Sequence, residues 1–155
     1  MTVLVVDTSV VVALLKSEPG WETLATRLHA ASSRVLSVAN WVELSLVAAG
    51  RHGDEATLEF LDRFLQTAAI ELRPVDEPQA RIAREAFLRF GKGRHPAGLN
   101  FGDCFSYALA RTLDAPLLFV GNDFIQTDVR VAMEVREQAR SLSGLISNIL
   151  ILIAF

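Results

Sequence analysis

A chain of 155 residues that is 51% hydrophobic has the length of one domain and enough apolar matter for a full core, which excludes extensive disorder. Its formal net charge of −3 argues against a protein that coats nucleic acid by bulk positive charge. The single cysteine, Cys104, excludes an internal disulfide and a multi-cysteine zinc site, and it is compatible with a reducing cytoplasm. The first strand follows at once. Val3 to Val6 is a short, wholly apolar, valine-rich run, the pattern of a strand buried on both faces of a parallel sheet. Asp7, Thr8 and Ser9 come directly after it and lead into a helical pattern through Leu15. Nothing here resembles a secretory leader: the basic start and small-residue cleavage site are missing, and Asp7 interrupts the apolar run.

Glu18-Pro19-Gly20 breaks the pattern, and a second helix is expected from about Trp21 to Ala31. Arg34 to Val38 reads as a second strand and Asn40 to Ala49 as a helix stopped by Gly50. That helix is apolar nearly all round, which predicts burial. Asp54 to Ala68 is a further helix with Leu58, Leu61, Phe64 and Leu65 inward, and Ile70 to Val75 a third strand. Glu77 to Phe90 is helical, with Pro78 in the first turn where a missing N–H is harmless. Gly91 to Gly98 is a loop by composition, Phe101 to Leu113 a helix, and Leu117 to Val120 a fourth strand. After the turn at Gly121-Asn122-Asp123, Val129 to Val131 is expected as a short fifth strand. Strands alternating with helices indicate an α/β fold with a parallel sheet of about five strands, over residues 1–131. Residues 132–155 form a C-terminal extension of unknown role, helical and then strongly apolar, whose last run from Ile149 to Phe155 is too short to span a bilayer.

Four carboxylates organise the functional reading. Asp7 and Asp123 each follow a buried strand, where working groups collect in parallel sheets. Glu43 lies in the apolar helix, with Asn40 three residues earlier on the same face. Asp103 stands three residues after Asn100, the spacing of a capping box. Each has an ordinary structural role: helix cap for Asp7, water-facing stripe for Glu43, cap for Asp103, turn former for Asp123. Together they point further. Like charges crowded in a dry pocket are unfavourable unless a cation intervenes, and an all-oxygen set without cysteine or histidine suits Mg²⁺ or Mn²⁺. The chemistry implied is metal-assisted phosphodiester hydrolysis. Arg81, Arg84, Arg89, Lys92, Arg94 and His95 make one locally basic segment ahead of the Asp103 helix, and Arg84, Arg89, Lys92 and Arg94 are the candidate contacts to a phosphate backbone. His29, His52 and His95 show no ligand spacing, Cys104 has no histidine to activate it, and Trp21 and Trp41 read as core.

Val5 to Ser9 with its helix, Asn40 to Glu43, Gly102 to Ala110, and Leu117 to Val129, in that order, resemble the PIN-domain ribonucleases, most closely the VapC-type toxins of toxin–antitoxin pairs. The resemblance implies a three-layer fold with a five-stranded parallel sheet between helices. It implies that Asp7, Glu43, Asp103 and Asp123 hold Mg²⁺ or Mn²⁺, that Ser9 and Asn40 support them, and that RNA is the substrate. It further implies a cognate antitoxin, frequent homodimerisation and no membrane. Asn122 falls where many relatives carry another acid, and Asp128 is an additional nearby candidate. A haloacid-dehalogenase-like phosphatase also starts from an aspartate after a strand, but it needs a second aspartate where this chain has Ser9. The stronger rival is a PIN-like module with a weak metal site that works by binding RNA or protein.

Overall fold

The computed structural model describes residues 2–50 and 52–132, so the expectation for the extension beyond Ala132 lies outside the described residues. In chain order the elements are β1 (Val3–Val6), α1 (Thr8–Leu15), α2 (Trp21–Ala30), β2 (Ser33–Ser37), α3 (Val38–Ala49), α4 (Glu55–Thr67), β3 (Ile70–Arg73), α5 (Glu77–Phe90), α6 (Phe101–Thr112), β4 (Leu117–Leu118) and a 3₁₀ turn, Asp123–Gln126. Among the described residues, five of the six α-helices start on a side-chain cap, Asp7 and Asn100 as expected and also Ser37, Asp54 and Asp76, each accepting from a backbone N–H of the first turn.

All strand pairs are parallel, in the order β3-β2-β1-β4. The period-two alternation of the strands divides the core. Val5, Val35 and Leu117 face α5 and α6. Leu4, Val6, Leu36 and Leu118 face the other way, toward α1 to α4. This is the expected helix–sheet–helix sandwich, with four strands rather than five. The fifth is reduced to a single bridge between Val131 and Leu117. The reason lies in β4, which offers only two residues: beyond Leu118 the chain turns away, and the Val120 N–H goes to the Ser9 hydroxyl instead of a strand partner. β3 likewise stops at Arg73, because Pro74 has no N–H to continue the ladder.

Two packing expectations are corrected. α3 is not enclosed: only Asn40 and Leu44 are buried, whereas Val42, Leu46 and Val47 are exposed. Leu58 of α4 is also exposed, leaving Leu61 and Leu65 as that helix's buried face. Among the described residues no helix is long and apolar enough to cross a membrane.

Candidate active site

The strand order makes β1 the point from which the chain proceeds in both directions, to β2 on one edge and β4 on the other. In an open parallel sheet the crevice beyond the carboxyl ends at such a point is the natural binding place. Asp7 leaves β1 there. Its N–H donates to the Leu118 carbonyl at 3.0 Å, which fixes the loop after β1 against β4. The carboxylate is buried, yet all its visible partners are donors: the Ser9 N–H (2.9 Å) and Ser9 hydroxyl (2.6 Å) at Oδ2, and the Ser106 hydroxyl (2.5 Å) at Oδ1. Ser9 in turn accepts from the Val120 N–H at 3.0 Å, so one hydroxyl ties Asp7 to the segment leading to Asp123.

Glu43 enters from α3. The Thr8 hydroxyl donates to its Oε2 at 3.0 Å, and Thr8 accepts from Asn40 Nδ2 at 3.3 Å. Asn40 is fully buried, and the same amide nitrogen donates to the Gly102 carbonyl at 2.9 Å. It thereby joins the starts of α1 and α6 through α3. Gly102 brings Glu43 close to α6: a Cβ at that position would stand 2.1 Å from the Glu43 carboxylate. Any other residue there must displace the acid.

Asp103, in the first turn of α6, forms the expected capping box: its N–H donates to Asn100 Oδ1 (2.9 Å), and its Oδ2 accepts from the Asn100 N–H (2.8 Å). Burial raises its carboxyl to about 6, and the charges of Asp7, Asp123 and Glu43 push in the same direction against the lowering hydrogen bond from Asn100. The four acids from four separate segments therefore share one electrostatic environment. Asp123 differs in being exposed, at the head of the 3₁₀ turn.

The donor set fits a hard divalent cation. It is all oxygen, and among the described residues none of the four acids enters an ion pair and the buried Asn40 Oδ1 in the same network has no hydrogen-bond partner. Among the described residues, no three His, Cys, Asp or Glu side chains close around one point to form a cage. Mg²⁺ asks for less, because it binds through one or two carboxylates and keeps several of its waters.

Other candidates separate from this centre. Asp128 is held by the Tyr107 hydroxyl (2.6 Å) and Arg89 (3.0 Å), with Arg111 at 3.8 Å, so it belongs to an ion-pair cluster. Arg89, one of the candidate RNA contacts, is engaged in that pair and lies over the Phe90 ring at 4.6 Å. Arg84, Lys92 and Arg94 are exposed and enter no ion pair among the described residues. Burial, with Asp103 nearby, pushes the Cys104 thiol up to about 11, as befits a core cysteine and not a nucleophile. His95 packs edge-on against Phe90, while His29 and His52 are exposed. Trp21 and Trp41 lie half-buried against the core, with Trp41 Nε1 donating to Asp62 at 2.9 Å.

Sequence reasoning missed Thr8, Gly102 and Ser106 as site residues. Ser106 had a signal, since it follows Asp103 by three positions and so shares its helical face. Thr8 and Gly102 had none, because their partners come from α3, far along the chain.

Comparison with known proteins identifies the family and the fold. The model of the PIN domain family matches residues 4–130. Ribonuclease VapC30 of Mycobacterium tuberculosis is 46% identical over 126 residues, covering 81% of this chain and 95% of the relative. Ribonuclease VapC of Mycolicibacterium smegmatis is 47% identical over 126 residues, covering 81% and 97%. Among solved structures, VapBC-1 from nontypeable Haemophilus influenzae superposes with a TM-score of 0.69 at 18% identity, covering 88% of this chain and 100% of that one. Mycobacterium tuberculosis VapC20, titled a sarcin–ricin loop cleaving toxin, gives 0.64 at 18% identity, covering 81% and 95%.

Proposed function

We infer, from the premise that this chain belongs to the PIN domain family, that it is an endoribonuclease of the VapC type, the toxin of a toxin–antitoxin pair. Its relatives at 46–47% identity carry the name ribonuclease, and its structural neighbours include toxin–antitoxin complexes. The substrate is RNA, the partner a cognate antitoxin, and a homodimer is the assembly that the family resemblance implies.

Asp7, Glu43, Asp103 and Asp123 would hold Mg²⁺ or Mn²⁺. When bound, such an ion neutralises charge developing on the phosphoryl oxygens and makes water a stronger nucleophile at neutral pH. The chain's own groups do the positioning. Ser9 and Ser106 fix both oxygens of Asp7, Thr8 and Asn40 fix Glu43, and the capping box fixes Asp103. Arg84, Lys92 and Arg94 receive the phosphate backbone on the approach. The observation that carries this reading is that acids from three other segments, Asp7, Glu43 and Asp123, all lie near enough to act on Asp103, whose carboxyl is raised to about 6, first of all by burial.

The test is a calorimetric Mn²⁺ titration of the purified chain beside Asp103→Asn, followed by RNA cleavage. Binding that disappears in the variant supports the carboxylate site. The absence of a closed acid cage among the described residues is the one observation favouring a catalytically weak module that binds RNA or protein. No heat of binding at millimolar metal, in a folded protein free of antitoxin, would establish that reading instead.

A further inference from the structure

Phe101 has no role in the site as described, and its placement is costly. It is 74% exposed, more than any other large hydrophobic among the described residues. It is also the first residue of α6, two before Asp103. The ring is not loose, since it meets Phe105 one turn later edge-on, with centroids 4.9 Å apart and planes at 64°. On its C-terminal side, Gly102 lies against the Glu43 carboxylate. On its N-terminal side the chain is stitched to the basic loop: the Leu99 N–H donates to the Phe90 carbonyl and the Lys92 N–H to the Leu99 carbonyl, both at 2.9 Å. A steadied, solvent-facing aromatic thus stands where the carboxylate-bearing helix start and the cation-bearing loop are joined.

We propose that Phe101, braced by Phe105, is a stacking platform for an unpaired base of the RNA beside the cleaved phosphate, with Lys92 and Arg94 receiving neighbouring phosphates. The proposal rests on the ribonuclease reading above and deepens it by naming the substrate class. Sequence-tolerant recognition of single-stranded RNA combines flat aromatic faces with cations along the backbone. A duplex hides its base faces, so the favoured substrate is a loop or single strand. Phe101 is next in the chain to Gly102, which packs on the Glu43 carboxylate, and its helix is tied through Leu99 to the loop that carries Lys92 and Arg94, a setting that suits a polyanion carrying flat bases better than an apolar protein surface.

The experiment uses the full chain carrying Asp7→Asn, so that binding is read without cleavage. The probe is a short unstructured oligoribonucleotide containing 2-aminopurine, whose fluorescence is quenched by stacking. With Phe101 present the probe binds and is quenched. Phe101→Ala weakens binding by about tenfold or more and abolishes the quenching, as removal of one base-stacking aromatic does. Phe101→Trp keeps both, which separates loss of stacking from loss of fold, and the same sequence presented as a duplex binds no better than the alanine variant. Equal affinity of Phe101 and Phe101→Ala overturns the proposal. So does a loss of affinity accompanied by a fall in sedimenting mass, which would mark the ring as a contact between protein chains. Failure of the ribonuclease reading looks different: the chain with Asp7 intact then leaves the oligonucleotide uncut at millimolar Mn²⁺ whatever occupies position 101.

Discussion

The Asp7 carboxylate caps α1 through the Ser9 N–H and also receives two hydroxyls, so charge and geometry can be separated by replacing it with its amide. Asp7→Asn keeps an acceptor for the cap but loses the anion. Cleavage is expected to fall by about a hundredfold or more, the usual consequence of removing one preorganised electrostatic group, while the thermal midpoint stays level or rises. Undiminished cleavage in a variant that still binds Mn²⁺ would remove Asp7 from the mechanism. Asp103 supplies a pH signature. Its carboxyl is raised from 3.8 to about 6, so between those values the folded chain holds a proton that the unfolded chain has released. The contribution of Asp103 to the stability of the metal-free protein therefore declines as pH rises from 4 to 6, and it is lost above the folded value. Over the same interval Mn²⁺ affinity climbs as the ligand is freed of its proton. Denaturant titrations and calorimetry across this range check both slopes, and Asp103→Asn should flatten each. At this scale the acids were readable because a carboxylate after an apolar strand or inside an apolar helix is conspicuous. Thr8 was not, because a hydroxyl beside a helix start has many ordinary roles and its partner lies elsewhere in the chain.

Among the elements, the meeting of α3 with the start of α6 is the tightest functional contact. Gly102→Ala places a methyl group against the Glu43 carboxylate, whose atoms lie 2.1 to 2.5 Å from the added carbon. The acid must swing away from Thr8, and cleavage is expected to drop by on the order of tenfold to a hundredfold, as a misplacement of about 1 Å does. The circular dichroism spectrum should keep its native form, and an unchanged cleavage rate would show that Glu43 is free to move without cost. The helices and the parallel strands were legible from periodicity and capping residues, and α5 starts and stops where Pro78 and Gly91 place it. The exposure of α3 was not legible. Its composition is apolar all round, yet exposure depends on which neighbours the topology supplies, and α4 and α6 cover only part of it. The fourth strand was legible but its shortness was not, since Phe119 and Val120 have strand character but the Val120 N–H is claimed by Ser9.

For the whole molecule, the net charge of −3 conceals a division of labour between an acidic crevice and a basic stretch around Arg84, Lys92 and Arg94. Replacing Lys92 and Arg94 together by alanine should weaken RNA binding more at low salt than at high salt. The slope of log affinity against log salt should fall by roughly 0.7 per lost phosphate contact, the single-strand value. A filter-binding series at several ionic strengths decides it, and an unaltered slope would place the RNA backbone elsewhere. The architecture was legible as far as the three layers; the order in which the strands lie was not, because it is fixed by pairing between segments that are far apart in the chain. That order has a further consequence. β1, at the very start of the described chain, is flanked on one edge by β4, formed by Leu117 and Leu118, and the fourth acid comes later still at Asp123. While the chain is being synthesised, Asp7 and Glu43 emerge long before the residues that complete their surroundings. A polypeptide abandoned midway carries Asp7 and Glu43 but neither Asp103 nor Asp123. The described sheet is complete only when β4, the last of its strands in the chain, docks beside β1, the first.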